Sequence, residues 1–332
     1  MIEVSHLTKR YGDLTAVSDL SFQVGDGEIC GFLGPNGAGK TTTMQMMTGC
    51  LAPTEGTVKI DGYDIFRGPV PAKKTIGYLP EVPPLYPDLT VDEYLRFAAA
   101  LKKVPKAARS AELDRVLSAL ELSEERHRLI RNLSKGYRQR VGFAGALIGD
   151  PKTLFLDEPM SGLDPKQINA MRDLIRELGR THTIFLSSHI LSEVAEICTR
   201  VLILSGGRAV AMDTPDRLCG QGAGVLLIET AGSASQAREA LGGVADAEEA
   251  EIEERGGRVY IRILMPEGED IRSRVSSALA AGGCPVLEMR AEKASLEDIF
   301  ILLTEEDAEE ETEEDAEEET RALKGADDDS DL

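Results

Sequence analysis

Residues 32–43 read Phe-Leu-Gly-Pro-Asn-Gly-Ala-Gly-Lys-Thr-Thr-Thr. Gly34, Gly39, Lys40 and Thr41 fit G-x-x-x-x-G-K-[ST], the spacing of a loop that wraps a phosphate chain. The chemistry explains the residue types. Backbone N–H groups can approach an anion closely only where Cβ atoms are absent. Gly34, Gly37 and Gly39 supply that freedom. Lys40 reaches the outer phosphates as a point charge, and the Thr41 hydroxyl can hold Mg²⁺. A second acidic constellation lies at Asp157-Glu158, after the apolar run Thr153–Leu156. Alone, such a pair is either a turn or a metal- and water-handling site. Behind a phosphate loop, Asp157 can hold Mg²⁺ and Glu158 can orient or deprotonate a water.

The elements that must position these residues can be read from the apolar patterning. Residues 28–33 form a buried strand that runs into the loop. Thr41–Cys50 forms a helix whose N-terminus faces the anion. Thr153–Leu156 and Thr183–Ser188 are further buried strands, the second ending at His189. Ligands of open parallel sheets collect at the carboxyl ends of strands, so the loop, Asp157, Glu158 and His189 are expected along one edge. Short β-like runs fill residues 1–31, and Tyr11 lies in their first turn. It is either a packing aromatic or a flat ring for stacking on a base. Strands are also expected at 56–62 and 75–81. Helices are expected at Val91–Leu101, capped by Thr90, and at Ala111–Leu122. Another starts after Ser134, so residues 90–150 read as a helical insert.

In this order the motifs resemble the ATP-binding subunit of ABC transporters, over roughly residues 1–218. Gly34–Thr41 is similar to Walker A, and Glu81, after Tyr78-Leu79-Pro80, takes the place of the Q-loop glutamine. Leu133-Ser134-Lys135-Gly136-Tyr137 resembles the family signature, with Lys135 and Tyr137 replacing its third and fifth residues. Leu154–Glu158 is similar to Walker B, Ser161–Asp164 to the D-loop and His189 to the switch histidine. The likeness is greatest to cassettes of ABC-2-type exporters, whose permease is a separate chain.

The resemblance implies an α/β P-loop NTPase cassette with a RecA-like core, an antiparallel β subdomain and a helical subdomain at about 85–150. It implies ATP held by Tyr11, Gly34, Pro35, Asn36, Gly37, Ala38, Gly39, Lys40, Thr41 and Thr42, and by Ser134 and Gly136 of a second copy. Mg²⁺ would sit near Thr41, Glu81 and Asp157, with Glu158 and His189 catalytic. The implied partners are a second copy of the chain, head to tail, and membrane permease subunits that would hold the ATPase on the cytoplasmic face of the membrane.

Charge and composition narrow the alternatives. The formal charge is −21, but residues 305–332 alone carry sixteen acids against Arg321 and Lys324. The rest of the chain is therefore only mildly acidic, which argues against a general nucleic-acid binder. A soluble ABC-type ATPase acting on DNA or ribosomes would be expected to show two cassettes, a long coiled coil or basic arms. No stretch approaches the roughly 18 apolar residues of a membrane span. The N-terminus lacks a secretory pattern, so the chain is expected in the cytoplasm. Five widely spaced cysteines without a C-x-x-C pair indicate neither zinc nor a disulfide framework. His6, His127 and His182 have no partners at metal spacing.

Beyond a Gly-rich linker near residues 218–224, residues 219–304 read as a small α+β domain of order β-α-β-β-α-β, the ferredoxin-like arrangement. A short amphipathic helix follows at Ser295–Leu303. The domain is read as regulatory or dimer-supporting, or else ligand-sensing. Residues 305–312 recur unchanged at 313–320. Their like charges at i,i+4 and near-absence of apolar residues predict a disordered acidic tail.

Overall fold

The computed structural model describes residues 1–220, 224–244, 247, 250–265 and 270–304. The chain divides into two compact units, Met1–Asp213 with Leu303 and Thr304, and Thr214–Leu302. The expected linker falls partly, and the expected acidic tail wholly, outside the described residues.

The first unit holds two sheets. The smaller is antiparallel and comprises β1 (Ile2–Tyr11), β2 (Leu14–Val24), β4 (Glu55–Ile60) and β5 (Tyr63–Asp64), in the order β2-β1-β4-β5. The larger runs β10-β9-β3-β8-β7-β6, where β3 is Ile29–Leu33, β6 Ile76–Leu79, β7 Thr153–Asp157 and β8 Thr183–Ser187. β9 (Arg200–Ser205) pairs parallel with β3, and only the edge strand β10 (Arg208–Asp213) is antiparallel. All five residues of β3, of β7 and of β8 are buried. Strands buried along their whole length are what a parallel sheet covered on both faces requires.

Helix α1 (Lys40–Met47) starts directly from the glycine loop after β3. Its Met44, Met46 and Met47 are buried in one core with residues from both sheets. Phe185 is the hub of that core, its ring centroid 5.7 Å from Phe22, 5.1 Å from Phe32 and 6.0 Å from Phe155. Aromatic packing of this kind adds to simple area burial and fixes the strands against one another.

The insert between β6 and β7 contains α3 (Val91–Leu101), α4 (Arg109–Ala119) and α5 (Lys135–Leu147), after a short α2 (Pro69–Thr75) ahead of β6. Thr90 caps α3 through a full capping box with Glu93. Asp92 in the first turn of α3 accepts from Arg126 at 2.7 Å, pinning the segment before α5 to this helix. After β7 come α6 (Pro165–Leu178), then β8 and α7 (Leu191–Ile197). Pro165 and the reciprocal Asp164–Gln167 capping box set the start of α6.

The second unit begins with α8 (Pro215–Gly220). It continues as β11 (Gly224–Thr230), α9 (Ala234–Leu241), β12 (Glu251–Arg255), β13 (Arg258–Met265), α10 (Arg272–Ala281) and β14 (Val286–Lys293). Its sheet is wholly antiparallel, in the order β12-β13-β11-β14. Leu226, Ile228, Val259 and Ile261 pack with Ala237 and Leu241 of α9 and Val275 and Leu279 of α10. After β14, residues 296–304 form a helix. The boundary between units lies five residues before the one expected after Leu218, because α8 groups with the second unit.

Candidate functional site

Strand order makes the site. β8 lies between β3 and β7 in the parallel sheet, so their carboxyl ends stand side by side. β3 delivers the glycine loop, β7 delivers Asp157 and Glu158, and β8 delivers Ser187, Ser188 and His189. The glycine loop, Asp157, Glu158 and His189 border one cavity of about 460 Å³. Asn36, Gly37, Gly39, Lys40, Thr41, Thr42, Glu81, Asp157, Glu158 and His189 line it, with Ala16 and Ser161.

The loop geometry demands glycine. Gly37 and Gly39 lie in the left-handed region at φ 90° and 95°. A Cβ on Gly39 would strike the Ala16 carbonyl, whereas one on Gly37 would meet nothing within 4 Å. A Cβ on Gly34 would run into the Leu204 carbonyl. The loop thus needs bare backbone in order to pass between β2 and β9, and Gly37 stands in open space. The Lys40 ammonium folds back onto the loop, donating to the carbonyl of Gly34 and to that of Pro35 at 2.9 Å. Burial lowers its pKa, opposed by the charges of Glu158 and Asp157.

Opposite stands the acidic side. Asp157 is buried, and the Ser187 hydroxyl donates to its Oδ1 at 2.6 Å. The same hydroxyl accepts from the Glu158 amide at 3.0 Å. Register explains both bonds, because Asp157 and Ser187 are directly paired across β7 and β8. Burial pushes the Asp157 pKa up, reinforced by Glu158 and Glu81, while Ser187 and Lys40 pull it down. Glu158 sits in the left-handed region at φ 48°. Its Oε2 is 2.7 Å from His189 Nδ1. A carboxylate fixed by an imidazole and open to the cavity can accept a proton from water. Behind this pair, Glu193 of α7 is buried, and burial raises its pKa against the pull of Arg172 and His189.

The cavity is lined by three carboxylates and one ammonium among the described residues. No group of three His, Cys, Asp or Glu side chains there forms a ready metal site. A divalent ion would therefore need phosphate oxygens as well as protein ligands, which is how Mg²⁺ is commonly held beside nucleotides.

Several sequence-derived candidates stand elsewhere. Ser134 and Gly136 do not line this cavity. Ser134 instead caps α5, its Oγ accepting from the Tyr137 amide at 3.3 Å. Gly136 lies under the Gln167 side chain. Gly34, Pro35 and Ala38 belong to the loop but not to the cavity wall. Tyr11 also lies off the wall and is 49% exposed, with the Lys9 ammonium 5.0 Å from its ring centroid. Sequence reasoning missed Ala16, which contributes through backbone proximity. It also missed Ser187, whose only signal was a hydroxyl at the end of an apolar strand beside an acid-terminated one. Among the described residues no helix is long and apolar enough to cross a membrane.

A glycine loop leading from a parallel strand into a helix, facing Asp-Glu on a neighbouring strand, defines a P-loop nucleoside triphosphatase. Residues 17–161 match the model of the ABC transporter family. The chain is 35% identical over 305 residues to the bacitracin transport ATP-binding protein BcrA of Bacillus licheniformis, covering 91% of this chain and 97% of that one. It is 33% identical over 306 residues to the Nod factor export ATP-binding protein I of Ralstonia nicotianae, covering 92% and 94%. The dimeric structure of MJ0796, a bacterial ABC transporter cassette, superposes with a TM-score of 0.60 at 25% identity, over 64% of this chain and 98% of that one. The chain belongs to the family of ABC transporter ATP-binding proteins and is an ATPase of that family.

Proposed function

We propose that this chain powers a separate membrane permease, of the ABC-2 exporter type, by ATP-driven head-to-tail pairing of two copies. In each site, the loop 34–41 and the start of α1 wrap the phosphates, with Pro35, Asn36, Ala38 and Thr42 completing the cradle. Lys40 leaves the carbonyls of Gly34 and Pro35 for the outer phosphates. Tyr11 stacks on the base. Ser134 and Gly136 of the second copy close the site over the γ-phosphate. Thr41, Asp157 and Glu81 are the residues that would hold Mg²⁺, which would supply neutralisation of phosphate charge.

Glu158 takes a proton from the attacking water as its oxygen bonds to the γ-phosphorus, while the bond to the ADP oxygen breaks. His189 keeps Glu158 aimed. Loss of the bridging γ-phosphate lets the copies part, and that opening and closing moves the permease.

The observation that carries this reading is the placement of Ser134 and Gly136. Both sit at a helix N-terminus suited to an anion, yet neither lines the cavity of its own chain. The export direction rests on the likeness to a Nod factor export subunit. On this reading the protein lies at the cytoplasmic face of the membrane through its permease. The test is to trap ATP with Glu158→Gln and measure mass by light scattering. A doubled mass with ATP and Mg²⁺, abolished by Ser134→Arg, is expected. A monomer at saturating ATP refutes the pairing. Recovery of the chain from membranes with an integral-membrane partner tests the second half.

A further inference from the structure

We propose that Lys135 is a positioning residue, tying the start of α5 to the loop Ser161–Asp164 of the same chain. Through it, an anion seated at Ser134 is felt at the chain's own Glu158. The inference rests on the head-to-tail reading above, in which that anion is the partner's γ-phosphate.

Lys135 is the first residue of α5. A cation there works against the helix dipole, so the position needs another reason. The side chain lies across Gly162, so closely that a Cβ on Gly162 would collide with its Cδ, Cε and Nζ. Gly162 itself sits in the left-handed region at φ 71°. One residue along, Gly136 is covered in the same way by Gln167. Gln167 is held by Asp164, accepting from the Asp164 amide at 3.3 Å and donating its own amide to Asp164 Oδ1 at 2.9 Å. Two side chains thus clamp the start of α5 onto the loop that starts α6.

The loop's other end reaches the chemistry. The Ser161 amide donates to the Glu158 carbonyl at 3.0 Å, and Ser161 lines the cavity that Glu158 faces. The path from the signature to the catalytic carboxylate is therefore Lys135, Gly162, Ser161 and Glu158. Every step is a contact or a hydrogen bond within one chain. A shift of α5 on phosphate binding moves Gly162, and the Ser161 hydrogen bond carries the movement to the Glu158 backbone. Each site would then fire only when the chain's own signature has engaged the opposite nucleotide.

The test uses the full chain with Lys135→Ala and Lys135→Arg, reading kcat, the Hill coefficient for ATP and thermal melting. ATP-driven dimerisation is read in a Glu158→Gln background. With Lys135→Ala, melting and dimerisation are expected to match the parent. The value of kcat falls about three- to thirtyfold and the Hill coefficient drops towards 1. Lys135→Arg restores both, because its stem and charge also span Gly162. Unchanged kcat and Hill coefficient in Lys135→Ala overturn the proposal. Loss of dimerisation in Glu158→Gln with Lys135→Ala also overturns it, since Lys135 would then be holding phosphate rather than relaying its presence. If Glu158→Gln alone stays monomeric with ATP, the pairing itself falls, a result seen with Lys135 intact.

Discussion

The Ser187 hydroxyl donates to the Asp157 carboxylate at 2.6 Å. The two residues are direct neighbours across the central parallel strands, and the same oxygen accepts the amide of Glu158. One hydroxyl therefore fixes the side chain of one acid and the backbone of the next. Ser187→Ala leaves the buried Asp157 oxygen and the Glu158 amide without this partner. The expected cost is about 1–3 kcal/mol of stability, read by denaturant unfolding, with kcat reduced more than KM. Wild-type unfolding and turnover would show that water takes over both bonds.

Glu158→Gln keeps the shape of the site and removes the base proposed for it. ATP hydrolysis is expected to slow at least a hundredfold while ATP binding persists, since a positioned general base typically contributes ~10²–10⁴. Phosphate release and nucleotide binding, measured on the same sample, separate the two effects. Near-normal turnover would reassign the base.

Lys40 now rests on two loop carbonyls. Exchange of those bonds for phosphate contacts predicts that Lys40→Ala weakens ATP binding about 10- to 100-fold, the range of one charge-assisted hydrogen bond. Titration with a fluorescent ATP analogue reads this directly, and an unchanged Kd would place the ammonium outside the nucleotide site.

Stability should fall in acid through the helical insert. Glu112 is bonded by Arg115 at 2.9 and 3.0 Å and by the Gly149 amide at 2.7 Å. The Arg115 guanidinium, ahead of the opposing effect of burial, holds its pKa below the ordinary glutamate value. A lowered folded-state pKa gives stability that is complete above the unfolded value of about 4.3 and lost as pH falls through the lower folded value. Melting of wild type and Glu112→Gln should differ at pH 6 and converge as the pH drops below about 4. A gap that persists in acid would mean that packing, not charge, is at stake.

Much of this architecture is legible in the residues because local chemistry dictates it. The loop at 34–41 needs glycine at positive φ whatever surrounds it, and Thr90 with Glu93 makes a complete capping box, so α3 occupies the expected span. Apolar centres mark β3, β7 and β8. Short elements are harder to read. Pro69 and Pro71 hide α2, although proline is tolerated in a first helical turn. β12 (Glu251–Arg255) lies in a segment too charged to show alternation. Within the site, the residues read from sequence announce themselves by type. Ala16 and the resting bonds of Lys40 do not, because they arise from how separate segments meet.

Glu158 carries one more implication. It is a non-glycine residue at φ 48°, a conformation that asparagine or glycine adopts at less cost. Replacing it with glycine or asparagine would relax the backbone and remove the proposed proton acceptor together. A chain optimised only to stay folded would discard this glutamate, so a survey of variants scored for thermal endurance should enrich for inert proteins at this position. On the proposed mechanism, that strain measures what the fold gives up to keep the proton acceptor in place.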